Sequence, residues 1–239
     1  MLLHGFALDH SIWDPLVPRL SAVTRVIRLD LRGHGRSSVT AGPYLMETLA
    51  ADVAALLDAL SLDGVALAGH SMGGYVALSF YRMFRERVRG LALVASRAGA
   101  DTPQAAAGRE ELAARAEREG IAPVVERLQP RLFAPAVYQE DPALAARTRA
   151  LLERTDPRGA AAALRGMAVR VDSHDVLEDV DVPFLAIAGA EDALIDVPEV
   201  EASAAAVRGA TFERFEHCGH MPMLEATKRL EAALERFLP

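Results

Sequence analysis

The stretch Gly69-His70-Ser71-Met72-Gly73-Gly74 is the part of this 239-residue chain best suited to chemistry. It follows the apolar run Val65 to Ala68 and precedes a helical pattern, so it reads as a sharp strand-to-helix turn of the G-x-S-x-G kind. Such a turn strains the backbone at the serine and leaves no room for side chains two residues to either side, which accounts for the glycines. It also holds Ser71 at a helix N-terminus, where the dipole and free N–H groups favour negative charge. Read without catalysis, the same residues are a glycine-rich turn with an incidental serine.

A serine hydroxyl is a weak nucleophile until a base takes its proton, and the base needs an acid to orient it. His220, in Cys218-Gly219-His220-Met221-Pro222, is the candidate base, placed after the last apolar strand pattern and before the final helix. His217 is its rival, but it lies closer to the strand end and lacks the preceding glycine that lets the loop turn. Asp192, in Gly189-Ala190-Glu191-Asp192, is the candidate acid, with Glu191 and Asp196 as competitors. An oxyanion would need two backbone donors. Met72 N–H follows the nucleophile, and Phe6 N–H closes the His4-Gly5-Phe6 segment after the first apolar run. One such donor is worth about 3 kcal/mol of barrier. His217, Cys218 and His220 also suggest a metal site, but no complementary Cys or His cluster lies elsewhere, so neither a metal nor a cofactor is expected.

These groups must be carried by a scaffold. Short apolar runs at Met1 to Leu3, Val26 to Leu29, Val65 to Ala68, Leu91 to Ala95, Phe184 to Ala188 and Thr211 to Phe215 alternate with helical patterns. That alternation predicts an α/β fold with a mostly parallel sheet flanked by helices. Met46 to Leu60 carries Leu49, Val53, Leu56, Leu57 and Leu60 at helical spacing. Between 97 and 180 the strand patterns stop, and Thr102-Pro103, Asp141-Pro142 and Asp156-Pro157 each pair an N-cap with proline at the first helical position. The chain therefore divides into a core of 1–96 and 181–239 and a helical cap or lid insertion at 97–180.

Composition narrows the function classes. With 26 basic and 33 acidic residues the net charge is −7, and no long basic run offsets it, so nucleic-acid binding is disfavoured. The single cysteine, Cys218, excludes an internal disulfide. The first ten residues lack a secretion signal, and no apolar run approaches the roughly 20 residues that span a bilayer. A cytoplasmic protein without membrane contacts is expected. At this length a single core can bury roughly 70% of the unfolded surface.

Taken together, His4-Gly5-Phe6, Asp30-Leu31-Arg32-Gly33-His34-Gly35-Arg36-Ser37, the Gly69 to Gly74 turn, Gly189 to Asp192, and Gly219-His220-Met221-Pro222 with Glu225 resemble the α/β-hydrolase fold superfamily. The resemblance is to its small bacterial serine esterases and 3-oxoadipate enol-lactonases, and it covers nearly all of the sheet-forming chain. It implies a triad of Ser71, His220 and Asp192 and a rim turn at 30–37 with no catalytic role. Relatives that attack epoxides or haloalkanes carry Asp where this chain has Ser71, which leaves acyl transfer to water. Some relatives take the acid from the loop after the preceding strand, but that position here reads Ala95-Ser96-Arg97. Members of the family usually carry a β-hairpin ahead of the His-Gly motif. This chain starts three residues before it, so the first two strands are expected to be missing, with Met1 standing for an internal valine codon of a longer gene. The alternative is a genuine six-stranded sheet whose strand near Val26 is an exposed edge open to homodimerisation.

Three readings of function follow: a carboxylesterase acting on small esters, with a lactone hydrolase of the enol-lactonase type as its nearest variant; cofactor-free chemistry on the same triad, such as C–C bond hydrolysis or perhydrolysis; and a low-turnover ligand receptor or signalling protein on the same fold. Leu112, Ile121, Val124, Val125, Leu128, Leu132 and Phe133 would either shape a small aliphatic acyl pocket or form the core of the lid itself. Arg97, just past a strand end, either pairs with a substrate carboxylate or takes part in a plain ion pair.

Overall fold

The computed structural model describes residues 1–238. Six strands, β1 (Leu2–Leu3), β2 (Arg28–Leu29), β3 (Val65–His70), β4 (Val88–Val94), β5 (Phe184–Gly189) and β6 (Thr211–Phe215), form one sheet in the order β2-β1-β3-β4-β5-β6. All five pairings are parallel. The central strands are covered on both faces, and Leu67, Leu91, Leu93, Ala186 and Ile187 are completely buried. β2 lies at the sheet edge, paired only with β1.

From β1 the chain crosses to β2 on one side, whereas from β3 it crosses to β4 on the other. The direction of winding therefore reverses between β1 and β3, and the crevice at their carboxyl ends is where ligands bind in open parallel sheets. His4-Gly5-Phe6 and Ser71 leave the sheet at that crevice.

The helix Met46–Ala59 buries Met46, Leu49, Ala50, Val53, Ala54 and Leu57, the stripe expected of a helix laid on a sheet. Thr102, Asp141 and Asp156 each cap the helix that follows, accepting from the N–H of Ala105, Leu144 and Arg158. All the chain between β4 and β5 that is regular is helical. Within it Pro103–Glu119 packs on Pro157–Ala168, whose Ala160, Ala161 and Ala163 are fully buried and allow close approach. The latter helix also seats on the core: a Cβ at Gly159 would overlap the Gly33 carbonyl, and one at Gly166 the Tyr44 carbonyl. Val124, Val125, Leu112, Leu132 and Phe133 are buried in the hydrophobic core.

Candidate active site

Ser71 follows β3 and caps the helix Met72–Met83, with φ 52° and ψ −116°. A non-glycine residue in that region is strained and persists only where its surroundings impose it. Here the Ser71 N–H donates to the Val94 carbonyl at 3.0 Å, and the Ser71 carbonyl accepts from the buried Ser96 hydroxyl at 2.8 Å and from Gly74 N–H at 2.9 Å. The glycines meet a steric demand: a Cβ at Gly69 would overlap the Gly73 carbonyl, and one at Gly73 would overlap the Leu3 carbonyl of β1.

His220 sits in the loop between β6 and the short helix Pro222–Glu225, and Asp192 in the loop after β5. Their side chains are almost fully buried and joined by a 2.7 Å hydrogen bond from His220 Nδ1 to Asp192 Oδ2. Asp192 Oδ1 accepts from Leu194 N–H at 2.7 Å and Ile195 N–H at 3.0 Å, so both carboxylate oxygens are fixed. Since the carboxylate takes the Nδ1 proton, Nε2 of the neutral ring is the nitrogen available to a serine hydroxyl. His217 is 94% exposed and faces Glu191 at 3.5 Å, away from this pair.

Two side chains not singled out for catalysis hold the His220 loop. Glu225 accepts from the N–H groups of Gly219 and Met221, which flank His220, and from Ala134 N–H in the helical insertion, at 2.9, 2.9 and 2.8 Å. Burial pushes its carboxyl up against the pull of those three donors. His70 donates Nε2–H to the His220 carbonyl at 2.8 Å, and burial pushes its pKa well below the ordinary histidine value. His4, also buried, bridges Gly5 O through Nδ1 and Leu31 N–H through Nε2, both at 2.8 Å, and thereby fixes the start of the His4-Gly5-Phe6 turn. Gly5 is required there because a Cβ would lie 2.6 Å from His70 Nδ1.

Ser71, His220 and Phe6 line one cavity of about 90 Å³, closed by Leu8, Leu128, Leu132, Met167, Leu194 and Ile195, with His70, Tyr75 and Arg109 completing it. Among the described residues, neither Phe6 N–H nor Met72 N–H has a hydrogen-bond acceptor. A larger, more open cleft of about 690 Å³ runs along Arg28, Asp30, Arg32 and Arg36. In it His10 is bonded to Asp30, and the Ser37 hydroxyl donates to the Asp30 carbonyl.

Arg97 does not reach the Ser71 cavity. Its guanidinium is held by Glu199 at 2.6 and 2.7 Å and by Asp101 at 3.3 Å, which is the ion-pair alternative. The arginine in the cavity is Arg109, which shares the buried Asp101 with Arg97 and Arg170. Burial would raise the Asp101 carboxyl, but the adjoining guanidiniums overcome it and hold it below the usual carboxylate range. The sequence signal for Arg109 is its helix face alone: it stands three, four and seven residues before Leu112, Ala113 and Ala116, the buried stripe of its helix, and this does not say which cavity it meets. Among the described residues, one close group of potential metal ligands occurs, Asp9, His10 and Asp30, away from the Ser71 cavity. Cys218 is buried, and burial pushes its thiol pKa up, which disfavours the thiolate. No helix among the described residues is long and apolar enough to cross a membrane.

Ser71 and His220 thus line one cavity, and Asp192 is bonded to His220. Residues 1–227 match the alpha/beta hydrolase fold family, and the chain belongs to that family. The solved structure of a thermophilic esterase from Thermogutta terrifontis, with malate bound, is 38% identical and superposes with a TM-score of 0.96, covering 99% of this chain and 88% of the other. The enol-lactonase from Burkholderia xenovorans LB400 is 28% identical with a TM-score of 0.92, covering 99% and 89%. The curated 3-oxoadipate enol-lactonase 2 of Acinetobacter baylyi is 28% identical over 230 residues, 95% of this chain and 85% of that protein. Within the family, this chain is an ester hydrolase.

Proposed function

We propose that the chain is a serine hydrolase that cleaves small carboxylic esters through an acyl-enzyme. Ser71 Oγ attacks the ester carbonyl carbon while His220 Nε2 takes its proton, and the oxyanion is received by the N–H groups of Phe6 and Met72. Collapse expels the alcohol, protonated by His220, and leaves the acyl group on Ser71. Water, deprotonated by His220, then releases the acid and restores the serine. Asp192 keeps His220 in the Nδ1–H tautomer and stabilises its cation. The observation that carries this reading is Ser71 in a left-handed backbone conformation, sharing a small cavity with an Asp192-bonded His220.

Residues 97–180 act as a lid on the core of 1–96 and 181–239, roofing the cavity with Leu128, Leu132 and Met167. A cavity of about 90 Å³ suits short acyl groups. Lactones are the second substrate class: a lactone is a cyclic ester opened by the same steps, and two of the relatives are enol-lactonases. The test is fluorophosphonate labelling with mass spectrometry, run beside hydrolysis of p-nitrophenyl acetate and butyrate by the wild type and Ser71→Ala. A single adduct on Ser71 and loss of turnover by about 10⁴-fold or more in the mutant are expected. A folded wild type that neither labels nor turns over would remove the proposal.

A further inference from the structure

One wall of the Ser71 cavity carries a positive charge that the triad chemistry does not use. Arg109 lines the cavity, and its Nε and Nη2 are bonded to Asp101. Its Nη1 faces the Met167 sulfur at 3.5 Å, a weak acceptor that leaves this N–H group without an oxygen partner. Around Asp101 stand three guanidiniums, Arg97, Arg109 and Arg170, and among the described residues the only other carboxylate bonded to them is Glu199. Three cations against two anions leave one positive charge in excess at a site walled by apolar side chains. Tyr75 lines the same cavity, one helical turn after Ser71. Arg170 stacks on the Tyr75 ring at 4.1 Å, which sets a second guanidinium close to this wall.

An unpaired guanidinium edge in a partly dry cavity is a receptor for a planar anion. We propose that Arg109 is a specificity-determining residue that binds a carboxylate carried by the substrate, so that the preferred substrates are short half-esters or lactones bearing a free carboxylate. This rests on the serine-hydrolase reading above. The small cavity requires the carboxylate to lie only a few bonds from the scissile carbonyl. The surrounding −7 surface makes the local cation the reason an anionic substrate would enter.

The test compares monomethyl glutarate with methyl butyrate, an anionic and a neutral methyl ester of similar length, by acid release in a pH-stat. Each enzyme is scored by its own ratio of kcat/KM for the anionic over the neutral ester, which cancels general damage. The wild type is expected to favour monomethyl glutarate at least tenfold, Arg109→Met to lose that preference mainly through KM, and Arg109→Lys to keep part of it. Circular dichroism checks that each variant is folded. A wild-type ratio near one, or the same ratio in wild type and Arg109→Met, would overturn the carboxylate role while ester turnover leaves the serine-hydrolase reading standing. If the folded wild type hydrolyses neither ester nor p-nitrophenyl acetate, both fall together.

Discussion

His70 Nε2 donates a hydrogen bond to the backbone carbonyl of His220, and the two rings lie 4.7 Å apart at a tilt of 54°. The residue preceding the nucleophile thus holds the main chain of the base, coupling the end of β3 to the loop after β6 across the sheet. His70 is fully buried and its Nδ1 has no partner, so its one bond is the hold on His220.

Replacing His70 by Phe keeps an aromatic ring and leaves the His220 carbonyl unpaired, at a cost of about 1–3 kcal/mol. Part of that cost is expected in the barrier: kcat on p-nitrophenyl butyrate falls about tenfold, while KM changes less than about threefold. His70→Gln, whose amide N–H reaches a position near that of Nε2, is expected to recover most of the loss. Equal losses in both variants, or a change confined to KM, would show that His70 serves packing alone.

Asp192→Asn tests the orienting acid more severely. Asn can keep the bonds from Leu194 and Ile195 N–H on one oxygen, but its NH2 then faces His220 Nδ1. The imidazole must turn its proton to Nε2, where it can no longer accept from serine. A fall in kcat of about 10⁴ with a nearly unchanged melting temperature is expected. A fall below tenfold in steady-state assays would exclude Asp192 from the triad role.

The sheet was legible because most of its strands are short apolar runs bounded by turn residues, and all six overlap the segments that the alternation marks. The turn at Ser71 was legible for the same reason: backbone strain leaves a signature in Gly69, Gly73 and Gly74. Asp192 and His220 could be chosen because loop position after a strand end is a one-dimensional property. The choice between Arg97 and Arg109 could not be made that way. Both reach Asp101 from different elements, and only three-dimensional packing decides which of them meets the cavity. Glu225 was visible as part of a motif, but its three backbone N–H partners come from two separate segments and leave no spacing to read.

Glu225→Gln isolates that brace. The carboxylate uses Oε2 for Ala134 and Gly219 N–H and Oε1 for Met221 N–H. Gln offers one oxygen, so its NH2 must face at least one of these donors. A destabilisation of about 1–3 kcal/mol is expected in urea unfolding, together with lower kcat because Gly219 and Met221 bracket His220. Unchanged stability would show that the three bonds contribute nothing net.

Acid should unfold this protein through its buried imidazoles. Burial pushes His34 down to about 3 and lowers His4 and His70 as well. For His4 the structural reason is direct: Nε2 accepts from Leu31 N–H, and a proton there would break the bond. Below pH 6.5 the unfolded chain therefore takes up protons that the folded chain refuses. Stability is full above about pH 6.5 and is lost as pH falls, for His34 across the interval from 6.5 down to about 3. Each such histidine contributes a slope of about 1.4 kcal/mol per pH unit in its window. Urea unfolding at several values from pH 7.5 to pH 5 is expected to show stability dropping steeply below 6.5, and His34→Gln should reduce the slope by about one proton. A flat profile over that range would mean that the imidazoles are protonated without cost in the folded state.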